Sequence, residues 1–110
     1  MPLLSIESNC ESTDGLLKKA SETVSAALGK SEQYVMVRYQ HNPDMLFAGS
    51  NQPLAFLELK SIGLPDEAAP ELSAQLCDLL QSELGINSDR VYIEFVNAPR
   101  HLWGWNRTTF

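Results

Sequence analysis

Two stretches of the sequence, GKSEQYVMVRYQHNP (29–43) and GINSDRVYIEFVNAP (85–99), superpose at a constant offset of 56 residues. Gly29 falls on Gly85, Val35 on Val91 and Pro43 on Pro99. The same offset runs upstream and sets Leu16 on Leu72, Ala20 on Leu76, Val24 on Leu80 and Leu28 on Leu84. Apolar residues at i, i+4, i+8 and i+12 are the stripe of an amphipathic helix, and a glycine after the last of them is a helix stop. The chain therefore reads as a duplication in which each half carries a helix. Ser12, Thr13 and Asp14 are capping candidates for the first, and the second is expected to begin between Pro65 and Pro70.

Each helix is followed by an alternating segment, YVMVRY (34–39) and VYIEFV (91–96), and preceded by another, PLLSIE (2–7) and PLAFLELK (53–60). Alternation with period two is the pattern of a half-buried strand. Both halves thus read β-α-β, which predicts an α+β fold: a four-stranded sheet with two helices on one face. One domain over 1–110 accommodates both repeats, at about 2–50 and 53–99. Val35, Val37, Tyr39, Val91, Ile93 and Phe95 point toward the helices. The opposite face receives Met36, Arg38, Tyr92, Glu94 and Val96, too mixed for a core and too apolar for free solvent, so oligomerisation over it is expected.

Charge removes several function classes. Fourteen acidic against eight basic residues give a net charge of −6, and the basic residues are scattered, which disfavours nucleic acid as a partner. No leader-like segment opens the sequence and no apolar run approaches the roughly 18 residues of a membrane span, so a cytoplasmic protein with no membrane partner is expected. Cys10 and Cys77 stand far apart, and His41 and His101 are isolated, so neither a disulfide nor a metal site is expected.

The start of the chain, Met-Pro, carries a chemical possibility that no internal proline has. Once Met1 is trimmed, the Pro2 nitrogen is a free secondary amine and thus a base, whereas inside a chain it is an amide without an N–H. Taken with GKSEQYVMV, FAGSNQP, LKSIG, DRVYIEF and the ending GWNRTTF, the chain resembles the macrophage migration inhibitory factor family of the tautomerase superfamily, as a member of microbial type. The resemblance spans Pro2 to Phe110. It implies a homotrimer of β-α-β-β-α-β subunits with an active site at each boundary. It also implies keto–enol tautomerisation of phenylpyruvate-like aromatic α-keto acids, and of dopachrome-type compounds, without a cofactor.

On the resemblance, Pro2 is the catalytic base. Lys30 lowers its pKa and binds the substrate carboxylate, the Ile62 N–H donates to substrate, Tyr92 enters from a neighbouring subunit, and Tyr34, Trp105 and Phe110 form aromatic walls. Each has a plain structural alternative. Lys30 suits a solvated position after a helix C-terminus, and the aromatics suit ordinary packing. Glu94 departs from the family, where asparagine is common at the pocket rim; it would oppose Lys30 unless it pairs with Arg38, its counterpart in the repeat. Leu54 and Leu57 replace the two cysteines of a Cys-x-x-Cys found in several vertebrate members, which excludes thiol–disulfide exchange by that route. The segment NCESTDG lacks the arginine of cytokine members. A cytokine-like or host-directed interaction protein, and a ferredoxin-like sensor domain, stand as the alternatives to an enzyme.

Overall fold

The computed structural model describes residues 1–110. Strand β1 (Leu3–Ser8) leads to helix α1 (Leu16–Leu28) and strand β2 (Met36–His41). Strand β3 (Ala55–Ile62), helix α2 (Ala69–Leu84) and strand β4 (Val91–Ala98) repeat that order. The sheet order is β2-β1-β3-β4. Each half supplies one parallel pair, β1 with β2 and β3 with β4, and the halves join through antiparallel β1 and β3. A helix between parallel neighbours is the crossover that such a pair requires.

The core lies between the helices and one sheet face. The stripe of α1 buries Leu16, Ala20 and Val24, and that of α2 buries Leu72, Leu76 and Leu80. They meet Leu4, Ile6, Leu57 and Leu59 from the two central strands. Burial of each such leucine contributes roughly 1.5–3 kcal/mol, which is why the period-four ladder decides the helices. Leu54 and Leu57 are both buried, so these two positions serve packing.

Gly29 and Gly85 end the helices at φ +63° and +67°, the left-handed conformation that glycine adopts without a Cβ penalty. The start of α1 differs from expectation. Gly15, at φ +86°, holds the cap position, and no side chain of Ser12, Thr13 or Asp14 caps the helix. Instead the Leu16 N–H donates to the Thr13 carbonyl at 3.2 Å, closing the entry turn through backbone. Tyr34 also lies outside β2. Ser31 accepts from the Gln33 N–H and opens a short 3-10 turn, Glu32–Tyr34, before the strand begins.

The second sheet face is open. Met36 is 63% exposed and Tyr92 66%, with Phe56, Glu58, Lys60 and Glu94 in the rows between them. Arg38 and Glu94 do not pair. They occupy the two outer strands with β1 and β3 between them, and the Arg38 guanidinium donates to Ser5 Oγ at 2.7 Å. Sequence equivalence in a repeat does not make spatial neighbours when the two halves pair through their first strands.

Candidate active site

The N-terminus of β1, the turn before β2 and the C-terminal segment converge on one cavity of about 440 Å³. Pro2 is fully buried at its base, and its carbonyl accepts from the Met36 N–H at 3.0 Å, which fixes the start of β1 against β2. The 3-10 turn at Glu32–Tyr34 presents the Tyr34 ring.

The opposite wall comes from a hairpin, β5 (Gly104–Trp105) and β6 (Thr108–Thr109). Its two loop residues, Asn106 and Arg107, have φ +52° and +72°, the paired positive angles of a tight hairpin turn. The turn brings Trp105 and Phe110 face to face at 5.5 Å with 11° between their planes. Tyr34 meets both edge-on, at 5.6 and 6.5 Å. Three aromatic residues far apart in sequence thus form one wall that a flat apolar group can lie against.

Lys30 stands beside this cavity rather than in its lining. It follows the left-handed Gly29, and its Nζ donates to the Ile62 carbonyl at 2.7 Å. That contact ties the end of α1 to the end of β3. The same ammonium acts on the chain's amino group. The N-terminal amine, carried here by Met1, has its pKa lowered from 8.0 to about 6, first by burial, then by the charge and hydrogen bond of Lys30, and last by the charge of Arg100. Both burial and a neighbouring cation penalise an ammonium, so both leave the amine as free base near neutral pH.

The structure therefore brings together Pro2, Tyr34, Trp105 and Phe110, with Lys30 and Ile62 paired next to the amine. Ile62 meets Lys30 through its carbonyl and is itself buried. Tyr92 and Glu94 lie elsewhere in the chain, on the open face of β4. Tyr92 packs against Phe47 in a separate apolar groove, ring centres 4.7 Å apart and planes tilted by 53°, and Glu94 forms no ion pair. Within one chain neither lines the cavity.

Leu3, Gln33, Val35, Met36, Trp103 and Gly104, to which the sequence assigns no cavity role, complete the lining together with Met1. Trp103 follows a 3-10 turn, Arg100–Leu102, and carries no periodic signal; its carbonyl accepts from the Phe110 N–H at 3.2 Å. Arg90 was equally silent although it sits in the DRVYI motif. Its guanidinium donates to the carbonyls of Phe47, Ser50, Gln52 and Pro53 and lies 5.4 Å from the centre of the Phe47 ring.

The family model for macrophage migration inhibitory factor matches residues 1–110. The chain belongs to the macrophage migration inhibitory factor family. A homologue from Trichinella spiralis is 38% identical over 114 residues, covering the whole of both chains. The mouse macrophage migration inhibitory factor is 34% identical, over 100% of this chain and 99% of that protein. Among solved structures, the homologue from Prochlorococcus marinus is 38% identical and superposes with a TM-score of 0.92, covering 98% of each chain. No helix of this family member is long and apolar enough to cross a membrane.

Proposed function

We propose that this family member is a cofactor-independent keto–enol tautomerase of phenylpyruvate-like aromatic α-keto acids, dopachrome-type compounds included, with Pro2 as its catalytic base. The observation that carries the reading is the N-terminal amine: its pKa is lowered to about 6, beside Lys30 and next to an aromatic cavity. A base that exchanges a proton with carbon works best with a pKa near ambient pH. Removal of Met1 moves the amine one residue inward to Pro2, whose side chain is more deeply buried, so burial continues to penalise the ammonium.

In this reading the substrate ring lies among Tyr34, Trp105 and Phe110, and its carboxylate meets Lys30. The prolyl nitrogen takes a proton from the carbon next to the ketone, and the enolate oxygen is protonated to give the enol; the reverse sequence regenerates the ketone. Lys30 and the Ile62 N–H stabilise the charge that develops on oxygen. A volume of about 440 Å³ is within the range of small-ligand clefts, roughly 300–1,000 Å³.

The site is completed by assembly. The open face of the sheet, with Met36, Phe56 and Tyr92 exposed, is the surface on which a homotrimer forms, and it carries Tyr92 and Glu94 to the cavity of the neighbouring chain. Their distance from the cavity of their own chain supports this. The experiment is a phenylpyruvate tautomerase assay on the mature chain and on Pro2→Gly. A primary glycine amine in the same place should keep a small fraction of the rate, and loss of activity with an intact trimer supports the assignment. Equal rates in the two proteins would refute it.

A further inference from the structure

The ammonium of Lys30 is a point charge on a flexible four-carbon stem, so its position is set by what holds the two ends of that stem. At the base, the Lys30 N–H donates to the Ser25 carbonyl at 3.1 Å, and the Ser25 hydroxyl donates to the Lys30 carbonyl, which fixes the backbone to the last turns of α1. At the tip, Nζ donates to the Ile62 carbonyl at 2.7 Å and makes no ion pair, so that carbonyl anchors the charge. Whatever aims the Ile62 carbonyl therefore aims the ammonium.

The Ile62 carbonyl and the Gly63 N–H belong to one planar trans peptide and point in opposite directions. The Gly63 N–H donates to Asn97 Oδ1 at 3.1 Å, and the Leu64 N–H donates to the same oxygen at 3.2 Å. Two successive N–H groups converge on one acceptor because Gly63, at φ +71°, takes the left-handed conformation. Asn97 is in register with Ser61, so the end of β4 lies beside the end of β3 and the amide reaches the turn that follows. With the N–H of this peptide held toward Asn97, its carbonyl faces Lys30. The Ser61 hydroxyl also donates to that carbonyl, but at 3.4 Å, longer than an ordinary hydrogen bond.

We infer that Asn97 is a positioning residue for Lys30, holding the Ile62–Gly63 peptide so that its carbonyl keeps the ammonium in place. The inference rests on the site proposed above, in which Lys30 serves the amine and the substrate carboxylate. Asn97 lines no part of the cavity and acts only through that peptide. Both Asn97 and Gly63 are exposed, so water can replace the side chain as an acceptor at small cost in stability. Water does not fix the direction of the peptide, and direction is what Lys30 requires.

The test follows the N-terminal amine in the full chain that keeps Met1, by the pH dependence of its acylation, read by mass spectrometry of the N-terminal peptide. Lys30 lowers the pKa of this amine, so Lys30→Gln should raise it. Asn97→Ala should raise it by a smaller amount, because the cation remains but is no longer held. In the Lys30→Gln background Asn97→Ala should add no shift, the non-additivity of residues that act through one another. Gly63→Ala disturbs the same turn by a second route: a side chain resists φ +71°, although nothing stands within 4 Å of the added Cβ, and the amine should move in the same direction. A purely structural Asn97 would lower the urea midpoint and leave the titration unmoved, and that result overturns the inference. An Asn97→Ala shift of equal size with and without Lys30 overturns it as well. An amine unmoved by Lys30→Gln overturns it at a different arm, together with the role of Lys30 in the proposed site. A protein that shows the non-additive pattern but fails to tautomerise phenylpyruvate keeps the role of Asn97 and loses the proposed reaction.

Discussion

Replacing Lys30 by glutamine separates the two forces that hold the N-terminal amine unprotonated. Burial is the largest cause of its lowered pKa, followed by the charge of Lys30 and the hydrogen bond of Lys30, with Arg100 last. The fall from 8.0 to about 6 amounts to about 2 pH units. Burial is the larger force, so a substantial part of the fall survives the loss of Lys30. Lys30→Gln leaves burial and Arg100 in place, so the amine should move up from about 6 and stop short of its ordinary value. The sign follows from the chemistry: the neutral amine is the base, and activity is lost as pH falls through its pKa. A higher pKa moves the acidic limb to higher pH. With a pKa near 6 about nine-tenths of the amine is free at pH 7, and with a pKa near 7 about half is. The first assay is the pH dependence of amine acylation in the chain that keeps Met1, which reads the group seen in the structure. The second is the pH profile of kcat/KM for phenylpyruvate in the trimmed chain, whose plateau also falls because the carboxylate loses its partner. An amine that titrates at the same pH in Lys30→Gln and in the parent would refute the role given to Lys30.

Arg90→Met should destabilise the protein by about 2–4 kcal/mol in urea unfolding, because charged hydrogen bonds to the part-buried carbonyls of Phe47 and Ser50 are lost; a change within about 0.5 kcal/mol, the range of an ordinary surface substitution, would contradict the clamp. Glu94→Gln should raise kcat/KM for phenylpyruvate near pH 6 to 7 and shift the acidic limb to lower pH, since a carboxylate brought to the neighbouring cavity favours the protonated amine; an unmoved profile would mean Glu94 is electrically silent in the assembly. Mixing the impaired Pro2→Gly and Tyr92→Ala chains under exchange should raise activity above that of either variant through shared sites, and no gain would be seen if each chain built its site alone.

Much of the architecture is legible in the sequence because burial enforces it. The ladders Leu16–Ala20–Val24 and Leu72–Leu76–Leu80 must face the sheet, and the alternating strands leave one arrangement for a duplicated β-α-β unit. What the repeat conceals is divergence between equivalent positions. Lys30 and Ile86 both follow a left-handed helix-ending glycine; Ile86 is fully buried in the core, while Lys30 turns to the amine and to Ile62. Tyr34 and Arg90 are likewise equivalent, one a cavity wall and the other a clamp on the loop that ends in Pro53. Pairing of Arg38 with Glu94 was excluded by sheet order, which no charge pattern encodes. Trp103 and Leu3 carry no signal of their place in the cavity, and Met36 reads only as part of the open sheet face, because cavity linings obey no period. Lys30, Trp105 and Phe110 are legible only through the resemblance of the motifs to a known family, since the tight turn that stacks Trp105 on Phe110 has no strong local signature in Asn-Arg; Pro2 stands out by itself, as the residue that becomes a free amine once Met1 is trimmed.

The most direct measurement compares the phenylpyruvate tautomerase rate of two preparations that differ only at the N-terminus, each verified by intact mass: one beginning at Pro2, the other retaining Met1. If the Pro2 amine is the base, the trimmed chain turns over phenylpyruvate with an acidic limb near the pKa of a buried prolyl amine. The chain that retains Met1 is then slower by orders of magnitude, because its Pro2 nitrogen is an amide, while both assemble alike. Equal rates from the two preparations would contradict the account at its centre.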